Sequence, residues 1–168
     1  MVILMSFTKC LGDAKMKVFT IGFQDRSAES FFLTLKKAGI QKVIDVRRKN
    51  TSQMAGYAKG PDLKFFLENC FGIAYERIFE FAPSEELLNE YRNRLGKKKK
   101  DNTAWADYVE RFRAEVLSRP LIERFQKVTD GFKAVCLLCY EKTANHCHRR
   151  LLAEHFKTHL PDLEIQHL

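Results

Sequence analysis

Apolar and polar positions along the 168-residue chain switch repeatedly between a strand period and a helix period, which predicts alternating strands and helices. Lys17-Val-Phe-Thr-Ile-Gly22 is a short β-branched run stopped by glycine and reads as a strand. Phe23-Gln-Asp-Arg26 is then a turn and Ser27 an N-cap. Phe31, Phe32, Leu35 and Ala38 recur at helical spacing up to Gly39, a candidate C′ residue. Gln41-Lys-Val-Ile-Asp-Val46 is a second strand entered directly from that helix. The unit is βαβ, so its strands are expected to be parallel with a right-handed crossover.

Residues 47–60 have no usable periodicity and form a polar, basic loop of a length that is usually functional or mobile. Pro61 and Asp62 open a helix carrying Leu63, Phe66, Leu67 and Cys70, closed near Gly72. Residues 73–79 read as a third strand, and a helix from Pro83 runs to about Leu95. After an exposed break at 96–100, a helix from Thr103 to about Ser118 places Trp105, Tyr108, Val109 and Phe112 on one face, and Pro120 restarts a helix to about Val128. Phe132-Lys-Ala-Val-Cys-Leu-Leu-Cys139 is a fourth strand, apolar enough to be buried on both faces. A helix over 145–157 and a last strand over 163–167 complete the chain. The pattern predicts an α/β fold: three layers, with a mostly parallel sheet of about five strands flanked by helices. One domain is expected over 17–168 after an N-terminal extension over 1–16, with Met16 a candidate start.

In open parallel sheets, ligands bind outside the carboxyl ends of the strands where the winding direction reverses. With strands 1 to 3 joined in one direction and strand 4 arriving after a long helical excursion, the expected order is 3-2-1-4-5. The crevice then lies between the ends of strands 1 and 4. Gly22 and Arg26 leave the first of these ends, Cys139 and Glu141 the other, and the end of strand 2 adds Asp45, Arg47 and Arg48.

The densest chemistry is in 134–152, where an apolar run breaks into a polar turn ending Asn145-His-Cys-His-Arg-Arg150. With Asn145 as N-cap, His146, Cys147 and His148 become the first helical positions, where unpaired N–H groups lower a thiol's pKa and hold anions. Cys147 is then a candidate thiolate, His148 an acid or base, Arg149 an anion clamp, and Glu141 a general acid/base or an orienting partner for His148. The competing reading packs Cys147 beside Leu151 and His148 beside Leu152, leaving Glu141 a surface carboxylate. Asp45 either orients Arg47 or caps the loop. Cys136-x-x-Cys139 with Cys147 and His148 supplies four ligand-type residues for zinc. Residues three apart on a strand point to opposite faces, however, and adjacent helical residues diverge, so no cofactor is expected, with zinc the minority reading.

The net charge of +8, with a pI near 9.3, points to an anionic substrate or partner, although Lys97 to Lys100 alone supply half of the excess. Five cysteines at irregular spacing argue against a secreted disulfide framework, and no apolar run is long enough to cross a bilayer. The start lacks a basic leader and a small-residue cleavage site. A cytoplasmic protein without membrane attachment is expected. Nothing in the sequence sets its oligomeric state.

Three segments carry a family resemblance: Thr20-Ile-Gly22 with Arg26-Ser27, Asp45-Val-Arg47, and Leu138-Cys-Tyr-Glu141 with Cys147-His-Arg149. Together they resemble the DUF488 family, small α/β proteins of undefined biochemical function. Gly72-Ile-Ala-Tyr75, Ala82-Pro-Ser-Glu85 and Trp105-x-x-Tyr108 resemble one branch of it. Phe23-Gln24 stand where the family often has His-Ser, and Arg48-Lys-Asn replace its usual Ser and Pro, so no role of those residues carries over.

The leading functional expectation is an enzyme acting on a phosphate-bearing substrate, a nucleic acid or nucleotide. Gly22, Arg26, Asp45, Arg47 and Arg149 would bind it, while Cys139, Glu141, Cys147 and His148 carry the chemistry. The alternatives are a non-catalytic nucleic-acid or nucleotide-binding module on the same rim, and a thiol redox or metal-responsive protein using Cys139 and Cys147.

Overall fold

The structure is a computed structural model that describes residues 15–51, 55–97 and 102–168. Residues 1–14 of the expected extension over 1–16, and the lysines at 98–100, lie outside the described residues. The elements are β1 (Lys17–Gly22), α1 (Ala28–Lys37), β2 (Lys42–Asp45), α2 (Gly60–Phe65), β3 (Ala74–Arg77), α3 (Glu85–Lys97), α4 (Asn102–Phe112), α5 (Leu121–Thr129), β4 (Ala134–Cys139), α6 (His148–His159) and β5 (Glu164–His167). Helices α2 and α4 each continue into a π turn, Phe66–Cys70 and Arg113–Leu117. The five strands form one all-parallel sheet flanked by helices, the expected α/β architecture.

The first βα unit follows its sequence signals closely. Ser27 caps α1 by accepting from the Ser30 N–H at 3.1 Å, and Gly39 ends it with φ 66°, the left-handed conformation that favours glycine.

The strand order is β3-β2-β4-β1-β5, which corrects the expected 3-2-1-4-5. Strand β4 inserts between β2 and β1, pairing with both, and β1 takes β5 on its other side. Both orders give β4 two neighbours, so its burial fits either; what differs is that β1 and β2, joined through α1, leave a gap of one strand between them. Val135 to Cys139 are all buried, so this strand needs a neighbour on each side and a helix on each face. The edge strands β3 and β5 are instead largely half-buried or exposed.

Two apolar layers sandwich the sheet. On one face Phe31, Phe32 and Leu35 of α1 and Leu63 of α2 pack on Phe19, Ile21, Val43, Cys136 and Leu138. On the other, Leu87, Phe112, Phe125, Leu152 and Phe156 from α3 to α6 pack on Val18, Ile44, Val135 and Leu137. The chain therefore leaves β1 and β2 toward one face and leaves β4 toward the other. The winding direction still reverses at the carboxyl ends of β1, β4 and β2, so the crevice lies where it was expected although the order differs.

Helix α3 overhangs that crevice, and the π turn after α4 fixes its start. Glu115 in the turn accepts from the Ser84 N–H at 2.6 Å and from Ser84 Oγ at 2.8 Å, and Ser84 Oγ in turn accepts from the Leu87 N–H at 3.2 Å. Among the described residues, no helix is long and apolar enough to cross a membrane.

Candidate functional site

Helix α6 begins at His148, with Cys147 as its extended N-cap at φ −135° and ψ 136°, two residues later than Asn145 would place it. The shift decides the site. An extended Cys147 does not diverge from His148 around a helix, and both side chains turn back toward the end of β4. Cys139 Sγ, Cys147 Sγ and a ring nitrogen of His148 all lie within 4.8 Å of one another, and all three residues are buried.

Glu141 joins them. Its Oε2 accepts from Cys147 Sγ at 2.9 Å and from Cys139 Sγ at 3.2 Å. His148 Nε2 donates to the Val46 carbonyl, which can only accept, at 2.9 Å, and Cys139 Sγ lies 3.8 Å from both ring nitrogens. Cys136, two positions from Leu138 on β4, belongs to the opposite core layer and takes no part.

The electrostatics run against a poised thiolate. Burial pushes the Cys147 thiol well up, and Cys139 and Glu141 push it further. The Cys139 thiol is also raised, chiefly by burial. The expected lowering at a helix N-terminus is overridden, because Cys147 is enclosed beside a carboxylate instead of facing water and arginine. Burial acts to raise the Glu141 carboxyl too, but His148 and the thiol donors outweigh it and hold Glu141 below the ordinary carboxylate range. At neutral pH the centre is an ionised carboxylate accepting from two thiols.

The arginines expected to clamp an anion have internal partners. Arg47 is paired with Asp45 through Nε at 2.7 Å and Nη2 at 2.6 Å, and Nη1 donates to the Ala58 carbonyl at 2.8 Å. Tyr75 donates to the second Asp45 oxygen at 2.7 Å, and Asn50 donates to the Tyr75 hydroxyl at 3.3 Å. Arg149 is 1% exposed and its Nη1 donates to the Glu141 carbonyl at 2.8 Å, so it shapes the Glu141 turn from below. Gly22 serves the same turn, where it packs against the Glu141 backbone. Arg26 lies toward the α1 face: its carbonyl accepts from the Tyr57 hydroxyl at 3.0 Å, and its Nε is buried without a hydrogen-bond partner.

Above the cluster opens a cleft of about 640 Å³. Cys139, Glu141 and His148 line its floor, Phe23 and Tyr140 one wall, and Leu88, Tyr91 and Leu95 of α3 the other, with Arg47, Arg48, Lys49 and Arg92 also lining it. Just outside, the half-exposed Phe79 ring carries the Arg48 guanidinium at 4.1 Å and that of Arg77 at 5.4 Å.

These residues fall inside, or within a few positions of, a segment that matches a family model. Domain of unknown function DUF488 matches residues 27–156 of the 168. The chain belongs to the DUF488 family. No curated protein and no solved structure matches it.

Sequence reasoning brought Cys139, Glu141, Cys147 and His148 to one place, with Asp45 and Arg47 at its edge. It passed over Tyr75, Asn50, the Val46 carbonyl and the α3 wall. Tyr75 had a signal, since it stands in one of the segments resembling the DUF488 family. The start signal at Pro83 marked a helix but not where that helix docks.

Proposed function

We propose that this DUF488 protein is an enzyme acting on a phosphate-bearing substrate, a nucleotide or a nucleic-acid end. The observation that carries the reading is one cleft with a Glu/Cys/Cys/His floor, aromatic walls and a basic rim. Arg48, Lys49 and Arg92 meet the phosphate, while Phe23, Tyr91 and Tyr140 offer apolar surface to a planar base. Arg47, Arg149, Asp45 and Gly22 act by holding the floor in shape. Glu141 is the proton acceptor toward the substrate, oriented by hydrogen bonds from Cys147 and Cys139, with the His148 ring alongside. Because the reading uses free thiols, it places the protein in the cytoplasm, where thiols stay reduced.

Calorimetric titration with nucleoside mono- and diphosphates at two salt concentrations tests it. Binding should weaken with salt, and Arg48→Ala, Lys49→Ala and Arg92→Ala should each weaken it, with a reduced salt slope. Glu141→Gln should bind but abolish any turnover found with the bound compound. If none of the phosphate compounds binds the folded protein, the reading fails.

The exposed Phe79 with its two arginines favours a second reading, a nucleic-acid-binding module without catalysis, since an aromatic ring flanked by guanidinium groups is a stacking platform for bases. That reading requires Phe79→Ala to weaken binding of a single-stranded oligonucleotide while no Glu141 substitution alters any turnover.

A further inference from the structure

We propose that Cys139, Cys147, His148 and Glu141 form a binding site for one thiophilic divalent cation, zinc first among them. The inference stands on the geometry of the floor and needs no phosphate ligand in the cleft.

The dimensions fit. Zinc–sulfur and zinc–nitrogen or –oxygen bonds of about 2.3 and about 2.0–2.1 Å put neighbouring donors of a tetrahedron about 3.3–3.8 Å apart. The observed separations are 3.8 Å from Cys139 Sγ to His148 Nδ1, 3.2 Å from Cys139 Sγ to Glu141 Oε2 and 2.9 Å from Cys147 Sγ to Glu141 Oε2. Cys139 Sγ, Cys147 Sγ and a His148 ring nitrogen lie within 4.8 Å of one another; to close the set the two Glu141 contacts lengthen by a few tenths of an ångström, and Cys139 Sγ, equidistant from both ring nitrogens, moves toward Nδ1.

The surroundings fit as well. A ligating histidine ordinarily donates its second ring N–H to a carbonyl or carboxylate, which fixes ring and tautomer, and His148 donates Nε2–H to the Val46 carbonyl at 2.9 Å. Glu141 makes no ion pair among the described residues; its side-chain partners are two thiols, weak donors for an ionised carboxylate. Arg47 is held by Asp45, and Arg149 by Thr20 and the Glu141 and Lys142 carbonyls, so neither neutralises it. Two sulfurs and an imidazole select zinc-like ions over magnesium or calcium. Cys139, Cys147 and His148 are buried, whereas Glu141 is half-buried at the cleft floor and is the donor a substrate could displace.

The test uses the full chain, purified under reducing conditions and stripped with a chelator. Elemental analysis before stripping, and titration with Zn²⁺ and with Co²⁺ afterwards, should give one equivalent per chain, with cobalt showing thiolate charge-transfer and tetrahedral ligand-field bands. Cys70→Ser should behave as wild type, because Cys70 is exposed and far along the chain. Cys139→Ser with Cys147→Ser should lose the ion. Should that variant not fold, His148→Gln must weaken Zn²⁺ at least about tenfold. The proposal is overturned if the folded, reduced wild type takes up no stoichiometric ion, if the double variant keeps it, or if the two cysteines are isolated as a disulfide whose reduction restores no uptake. Nucleotide titration of the stripped protein separates the two ideas. Nucleotide binding without ion uptake leaves the phosphate reading standing and removes the metal; ion uptake without nucleotide binding does the reverse.

Discussion

Gly22 and Glu141 meet backbone to backbone: a Cβ placed on Gly22 would lie 1.7 Å from the Glu141 carbonyl oxygen. No side-chain rearrangement relieves such a contact, because the obstacle is main chain. The end of β1 thus requires a residue without a side chain so that the turn after β4 can pass over it and present Glu141. Gly22→Ala should cost about 3 kcal/mol or more, at the upper end of what overpacking does. Urea unfolding measures the loss, and a cost under about 1 kcal/mol would mean that the two backbones are less tightly apposed.

Asp45 and Arg47 form a buried pair that Tyr75 and Asn50 complete. Asp45 is 0% and Arg47 is 5% exposed, and burial together with Asp45 pushes the Tyr75 phenol far up, so Tyr75 remains a donor. Asp45→Ala leaves a buried guanidinium without its counter-charge and should destabilise by about 3–5 kcal/mol. Tyr75→Phe removes one hydrogen bond to a charged group and should cost about 1.5–3 kcal/mol. If Asp45→Ala unfolds at the wild-type urea midpoint, the pair does not hold the loop over 47–60.

How much of this was legible depends on whether the signal was local. Ser27 and Gly39 mark the ends of α1 by their own backbone chemistry, and the apolar run Val135–Cys139 announces a strand buried on both faces. That same run implies a strand with a neighbour on each side, which either order provides, and no local feature records which gap in the sheet is open. The site residues were visible as a cluster of types. Their roles were not, because these turn on where α6 starts. Asn145 is the better N-cap by composition, but the chain caps with Cys147 so that Leu151, Leu152 and Phe156 reach the core, and tertiary burial overrides capping preference. The docking of α3 over the cleft was equally out of reach, since it rests on Glu115 finding Ser84 across 31 residues.

Arg149 acts as a buttress. It is fully enclosed and donates to the Glu141 carbonyl at 2.8 Å, to the Lys142 carbonyl at 3.4 Å and to Thr20 Oγ1 at 3.4 Å. Arg149→Met fills much of the space but leaves these acceptors unpaired, and should destabilise by about 2–3 kcal/mol. Arg149→Lys should recover only part, since an ammonium cannot reproduce the planar fork. Full recovery by lysine in urea unfolding would show that charge alone matters here.

Burial ranks the described cysteines. Cys70 is exposed, whereas Cys136, Cys139 and Cys147 are enclosed. Alkylation of the native protein at neutral pH, read residue by residue by mass spectrometry, should label Cys70 first and the other three only when the chain opens. Rapid labelling of Cys147 in the folded protein would place it in contact with solvent and contradict the enclosed N-cap geometry.

His167 gives the fold a dependence on pH with a definite sign. Its Nδ1 sits 2.7 Å from Thr20 Oγ1, which also accepts from Arg149 Nε at 3.4 Å. Burial chiefly, then Arg149, opposed by Glu154 and aided least by Arg150, lower its pKa below the ordinary histidine value. A histidine whose folded pKa is depressed binds its proton more readily in the unfolded chain. Its contribution to stability is therefore present above about pH 6.5 and is lost as the pH falls through that value toward the folded pKa. The wild type should lose stability between about pH 7.5 and about pH 5, and His167→Gln, which cannot take up a proton, should show a shallower decline. His155 is lowered in the same sense by burial and His159, so part of the decline should survive the substitution. Urea midpoints of both proteins across this range decide the matter: parallel curves would mean that His167 titrates alike in the folded and unfolded chains, and that the Thr20 contact at the end of β5 does not select the neutral ring.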